Sequence, residues 1–431
     1  TFFSFINCTI MMDNIYFYNG NSPFLSSYSS IISANSIYFS NLTANQDIFQ
    51  IFGSSFESSF FQLVNSNIQS LISLKNSLAS LTSFQIKSSL HSSLISSQNS
   101  DASIKQLEFK QSRGPILSAV GESITIAGIE LVNHISESPL FVSNNLSFSL
   151  SDCYISDSNI DSIVNIHYSE NAIVSNLTAT DFISTNPLFE IEETSCEFSS
   201  IVVDKLVSNS GIVILHQINS DCLKLSQSSI KRIYSKSRSH TSFAFSEVSS
   251  IFIDGFNYHK NGSPLLIANH SHIIFVNSLF SQNDCIQFSS NKIRINNEYF
   301  TLPSSLIYLY SESSLHLVHC KFFNNTIRNG FSMVSHNASI FLMASNFTSN
   351  SSPLYFIQST VKITKSAFSK NSNQVIKADL SEIVIKKSYF SLNSDTEVYI
   401  GNQTVAVINA TISSSPHFLE ASPSASSIIF E

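Results

Sequence analysis

Residues 340–393 carry one phrase three times: IFLMASNFTSN from Ile340, VKITKSAFSKN from Val361 and IVIKKSYFSLN from Ile383. The shared frame is apolar, any, apolar, two spacers, Ser, any, aromatic at Phe347, Phe368 and Phe390, two spacers, Asn. It recurs after 21 and then 22 positions. A period of this length marks a solenoid, in which each unit buries its apolar face only by stacking on its neighbours.

The frame extends along the chain, with apolar residues at relative positions 0, +2, +5 and +7. Rungs are expected to start at Ile10, Ile37, Phe61, Ala79, Ala102, Ile124, Phe148, Ala172, Ile201, Leu223, Ile251, Ile273, Leu315, Ile340, Val361, Ile383 and Val405. The exceptions to apolarity at these positions are all Ser, as at Ser345 and Ser366. Alternation within each pair of positions is the period of a half-buried strand, and the double spacer marks a bend. A third short strand follows in many rungs, several beginning after a proline such as Pro139, Pro187, Pro264 or Pro353, where a missing N–H is harmless. The expected fold is all-β: one continuous, single-stranded, right-handed parallel β-helix over 1–431, of about 17 rungs.

Composition narrows the function classes. Charged residues are 12% of the chain, and the net charge is −8, so clustered cations for a nucleic-acid backbone are not expected. With 36 Phe and 14 Tyr the chain is too aromatic to be disordered. No run of about 18 apolar residues is present, so no membrane span is expected in this segment. The opening TFFSFINCTI has no Met and no basic leader, which suggests a fragment or a processed form.

Asparagine stands at +10 in six consecutive rungs: Asn261, Asn283, Asn325, Asn350, Asn371 and Asn393. With only 10 Gly in the chain, these are expected to take the left-handed turn conformation and to form a structural ladder. The Phe at +7 is expected to form an internal stack. The FxxN phrase, as FSQN from Phe280, FFNN from Phe322, FTSN from Phe347, FSKN from Phe368 and FSLN from Phe390, resembles the repeat of the chlamydial polymorphic outer membrane proteins. That resemblance implies a pectin-lyase-like right-handed helix and an adhesin-like role at the cell surface.

Candidate sites are few. Asp157 and Asp181 fall at +9 of adjacent rungs, where two carboxylates about 5 Å apart suit a retaining glycosidase or a Ca²⁺ site; two solvated turn residues are the plainer reading. His270, His272, His316 and His319 cluster on neighbouring rungs, but no further ligand completes a Zn²⁺ site, and surface histidines are the plainer reading. Cys153 and Cys320 read as small core residues, and Cys196 with Cys222 as a pair out of register. From Ile273 to Leu315 the rung runs 42 residues, which indicates a loop insertion near 286–312. Lys292, Arg294 and Tyr299 there are candidate ligand contacts. The basic stretch KRIYSKSRSH from Lys231 is a second candidate loop.

The polygalacturonase and pectate lyase signatures of this fold are absent, so no catalytic residue, metal or cofactor is assigned. The expected function is a non-catalytic, secreted or cell-surface binding or structural rod, with glycans or surface proteins as partners. A polysaccharide lyase or glycoside hydrolase is the alternative. Sequons such as Asn7, Asn41, Asn176, Asn346, Asn350 and Asn402 fit a glycoprotein loosely.

Overall fold

The computed structural model describes residues 3–21, 24–208, 212–216, 223–235, 242–285, 292–295, 298–301, 305–327, 330–409, 411–414 and 417–430. Among them there is no helix. The chain is a parallel β-solenoid of about 17 turns, divided into two compact units, Thr1–Glu197 and Phe198–Glu431.

Each turn lays down three short strands that pair in parallel with the same strands of the next turn. In the first unit the position-0 column runs Ile10, Ile32, Phe56, Ala79, Ala102, Ile124, Phe148, Ala172. In the second it runs Leu223, Ile251, Ile273, Leu315, Ile340, Val361, Ile383, Ala406. Because successive strand residues face opposite sides, the +0, +2, +5 and +7 side chains point inward and keep one another dry. The aromatic column of the second unit shows this best. Rings of Phe280, Phe322, Phe347, Phe368 and Phe390 are all buried, with centroids 4.5, 4.7, 5.0 and 4.8 Å apart.

The register departs from the sequence frame in four places. Ile37, Phe61 and Ile201 do not open rungs; they hold the +5 place of rungs that open at Ile32, Phe56 and Cys196. Two in-facing pairs five residues apart look alike in sequence, so a five-residue slip leaves the apolar pattern intact. Ile383 pairs with Ala406 rather than Val405, which places Val405 on the outward side.

Three bends close each turn. At the second bend of the first unit a buried apolar residue such as Phe84, Leu107 or Ile129 follows the left-handed one; many of the other bends share one device. A residue with positive φ is followed by a buried Ser or Asn whose side chain accepts a backbone N–H from the preceding rung. At the first bend Ser30, Ser54 and Ser77 N–H groups donate to Ser54, Ser77 and Ser100 Oγ at 3.0, 3.3 and 3.1 Å. At the second, Cys320, Ser345 and Ser366 N–H groups donate to Ser345, Ser366 and Ser388 Oγ at 3.1, 3.3 and 3.4 Å. The Ser residues that interrupt the apolar frame are therefore bonding positions, satisfying bend amides that no strand partner reaches.

The third bend carries the asparagines. Each is preceded by the left-handed residue: Lys260, Gln282, Asn324, Ser349, Lys370 and Leu392 have φ of 54, 53, 52, 56, 55 and 53°. The expectation that the asparagines themselves take that conformation is thus corrected by one position. Freed from the turn, their amides point inward, and Asn261, Asn283, Asn325, Asn350 and Asn371 are 5% exposed or less.

Two short strands in the inserted region leave the solenoid path. Lys292–Ile295 and Glu298–Thr301 form the one antiparallel pair among the described strands. Ser305–Tyr310 is back in the solenoid, its Ile307 pairing with Leu266 and Met333.

Candidate functional site

In the first unit the third bend is exposed and concave. Asn41, Asn65, Ser88 and Gln111 hold positive φ there (54, 49, 50 and 54°), which turns their side chains out of the solenoid. Beyond each bend lies a strand of only two residues: Thr43–Ala44, Asn67–Ile68 and Leu90–His91, joined in a small parallel sheet. Arg113 extends it through a single bridge to Leu90. The strip forms a groove of about 610 Å³, lined among others by Asn41, Asn65, Asn67, Ser88, Gln111 and Arg113. The groove is shallow and open to solvent. Amide and hydroxyl groups make up its polar lining, and Arg113 supplies a guanidinium that also pairs with Glu137.

Beneath the groove the side chains turn inward. His91 and His134 are buried, with ring centroids 6.2 Å apart, and Phe109 packs against both at 6.3 and 5.7 Å. His134 Nε2 donates to the Gly114 carbonyl at 2.8 Å, which fixes its neutral tautomer. His134 Nδ1 and both nitrogens of His91 make no hydrogen bond, although the Gly114 and Pro115 carbonyls lie near enough to favour the charged form of His91 slightly. Burial, then the neighbouring His134, holds His91 down at about 3; burial holds His134 at about 4.

The same outward column continues to the carboxylates. Ser156 pairs with Thr180, so Asp157 and Asp181 follow on consecutive turns, exposed, with φ of 48 and 51°. Nearby, Asn176 donates to Asp152 at 3.0 Å, and Asn186 to Asp161 at 2.8 Å. A smaller groove of about 320 Å³ on another face of this unit is bordered by Glu57 and Asp101.

No family model matches the chain. No curated protein matches it. Among solved structures, a mutant of AlyGC, a PL6 family alginate lyase, aligns over 99% of this chain and 97% of its own at 8% identity, with a TM-score of 0.19. So loose a superposition carries no argument.

In the second unit the six asparagines form a continuous ladder, buried except at half-buried Asn393. Asn261 joins it through its backbone N–H, which donates to Asn283 Oδ1 at 3.0 Å. Asn283, Asn325, Asn350 and Asn371 each donate Nδ2 to the Oδ1 of the next at 2.8, 2.9, 3.2 and 3.1 Å. The ladder ends where Asn393 Nδ2 donates to the buried Glu397 carboxylate at 3.0 Å. The hairpin sets Arg294 opposite Tyr299 and Lys292 opposite Thr301. Much of the KRIYSKSRSH stretch, residues 236–240, lies outside the described residues, as does Cys222. His272 and His316 rings approach to 5.1 Å, and burial, then His272, lowers the pKa of His316. Among the described residues no cluster of three metal-ligating side chains forms. An outward column of Tyr355, Lys377 and Tyr399 satisfies itself: Lys377 Nζ lies 4.7 and 5.8 Å from the two ring centres, and Tyr355 donates to Asp379 at 2.9 Å.

Sequence reasoning missed the groove and the histidine pair. A signal exists for the groove: Asn41, Asn65 and Gln111 recur at +9 once the rungs are correctly phased. The pair has none, because His91 and His134 sit at different places in rungs that are two turns apart.

Proposed function

We propose that this chain is the binding solenoid of a secreted or cell-surface protein, adhesin-like in role, and that the groove of the first unit takes a hydroxyl-rich, uncharged ligand such as a neutral oligosaccharide. The observation that carries this reading is the groove's lining of amides, hydroxyls and one guanidinium spaced by the rung repeat. Such groups exchange hydrogen bonds with sugar hydroxyls without changing protonation. Strand spacing of about 4.8 Å puts one set of donors per rung beneath a linear polymer of similar repeat. The FxxN resemblance supports the surface role, and the hairpin at 292–301 offers a second contact region on the other unit.

A glycan array probed with the intact chain, Asn65→Ala and Arg113→Ala tests the groove. The affinity for the best neutral oligosaccharide falls at least tenfold in each variant. Unchanged binding in both removes the groove; loss on deleting 291–304 instead moves the site to the hairpin.

The alternative, a polysaccharide lyase or hydrolase, is favoured only by the stacked register of Asp157 and Asp181. Depolymerisation of an acidic polysaccharide that disappears in Asp181→Ala would establish it.

A further inference from the structure

We propose that His91 and His134 form an acid-sensitive latch beneath the groove, holding its floor closed while both imidazoles are neutral and releasing it when either is protonated. The groove's floor and the latch are one piece of backbone. His91 belongs to the two-residue strand that pairs with Asn67–Ile68, and its N–H donates to the Arg113 carbonyl at 2.9 Å. Gly114 follows with φ of 125° and donates to the Ile135 carbonyl at 2.9 Å. A Cβ at Gly114 would lie 1.9 Å from the His91 carbonyl oxygen, so only glycine lets the two rungs approach this closely. His134 then ties back to the Gly114 carbonyl. Three successive rungs are therefore pinned at one corner through two histidines.

The pin holds only in the neutral state. Neither ring nitrogen of His91 makes a hydrogen bond, the Gly114 and Pro115 carbonyls favouring its charged form only weakly against burial, and His134 Nδ1 makes none. A buried charge without a partner is strongly unfavourable, and a second one 6.2 Å away in centroid distance adds repulsion. Among the described residues no carboxylate bonds either ring. Charged groups on the neighbouring segments are exposed or paired outward: Lys87, Glu130 and Asp157 are exposed, Lys110 pairs with Glu108, and Arg113 with Glu137. The imidazoles take protons at their ordinary value of 6.5 only when the corner opens to water. Two pH units below that value, each histidine favours the open corner roughly a hundredfold. The latch stands on burial and geometry alone; ligand release through it rests on the groove reading above.

Hydrogen exchange of the full chain at about pH 7 and about pH 4.5, corrected for intrinsic rates, tests it. Amides of residues 90–93 and of Arg113, Gly114 and Ile116 exchange at least tenfold faster at the lower pH, while those around Phe347 and Phe368 do not. The pH step disappears in His91→Leu/His134→Asn, in which Asn keeps a donor for the Gly114 carbonyl. Equal protection at both pH values, or the same step in the double variant, overturns the proposal. Histidine NMR titration of the unaltered protein decides even if the variant does not fold. Assigned resonances of His91 and His134 titrating well below 6.5 support the latch, and those two imidazoles titrating near 6.5 refute it. No ligand enters either measurement, so latch and groove succeed or fail separately.

Discussion

Asn350 Oδ1 accepts two hydrogen bonds from Asn325, the backbone N–H at 3.1 Å and Nδ2 at 2.9 Å. One side chain thus satisfies a bend amide and orients the side chain that satisfies the bend before it. Asn350 Nδ2 meanwhile reaches the Phe322 carbonyl at 3.1 Å. The ladder links the bends of the second unit, with its amide dipoles aligned toward Glu397.

Replacing Asn350 by Ala strands two buried donors of Asn325 and the Phe322 carbonyl. Each orphaned group costs about 1–3 kcal/mol, so a loss of at least about 3 kcal/mol is expected. Urea unfolding monitored by hydrogen exchange at 325–327 reads it. Asn350→Asp is worse near neutral pH, because a carboxylate cannot donate to the Phe322 carbonyl or to Asn371.

Phe368 stacks between Phe347 and Phe390 at interplanar angles of 10 and 13°. Phe368→Ala leaves a cavity that neighbouring rungs cannot close without losing register, at a cost of about 3–5 kcal/mol. Phe368→Leu costs less than half as much. Chemical denaturation of the three proteins gives the order, and equal stability of Ala and Leu variants contradicts it.

Cys153, Cys196 and Cys285 are buried thiols pushed up to about 12 by burial, and Cys320 to about 11. At about pH 8 they hold their protons, so no thiolate forms to react. Iodoacetamide labelling followed by peptide mass spectrometry should modify the exposed Cys8 within minutes and leave these four unmodified until denaturant is added.

The stability of the first unit should fall with acid. His91 and His134 have folded values below the unfolded 6.5, so the unfolded chain binds more protons between those limits. Their contribution is complete above about pH 6.5 and shrinks as pH drops toward 4 and 3, by about 1.4 kcal/mol per unit per histidine at most. Denaturant midpoints measured from about pH 7 to about pH 4.5 should decline, and less so in His91→Leu.

Glu397 closes the ladder from below, accepting from Asn393 and Ser413 while fully buried. Glu397→Gln keeps an acceptor for Asn393 and is tolerated; Glu397→Leu removes it and lowers stability by about 1–3 kcal/mol, read by the same denaturation series.

The sequence by itself determined the rung. The spacing from Ile340 through Phe347 to Asn350 sets two strands and a bend, and its recurrence at Val361 and Ile383 requires parallel stacking, because no single turn can bury its own apolar face. It also carried the asparagine column, since identical residues at one place in successive turns must meet. Tertiary structure decided what the local pattern leaves degenerate. Ile37 and Ile32 are equally inward, and only pairing across turns tells which one opens the rung. Whether Asn350 or Ser349 takes the left-handed place depends on which amide needs an acceptor one turn away. Asn65, Arg113, His91 and His134 became a groove and its floor only through register between turns. That register follows from the summed fit of many side chains, and no short stretch of the chain contains it.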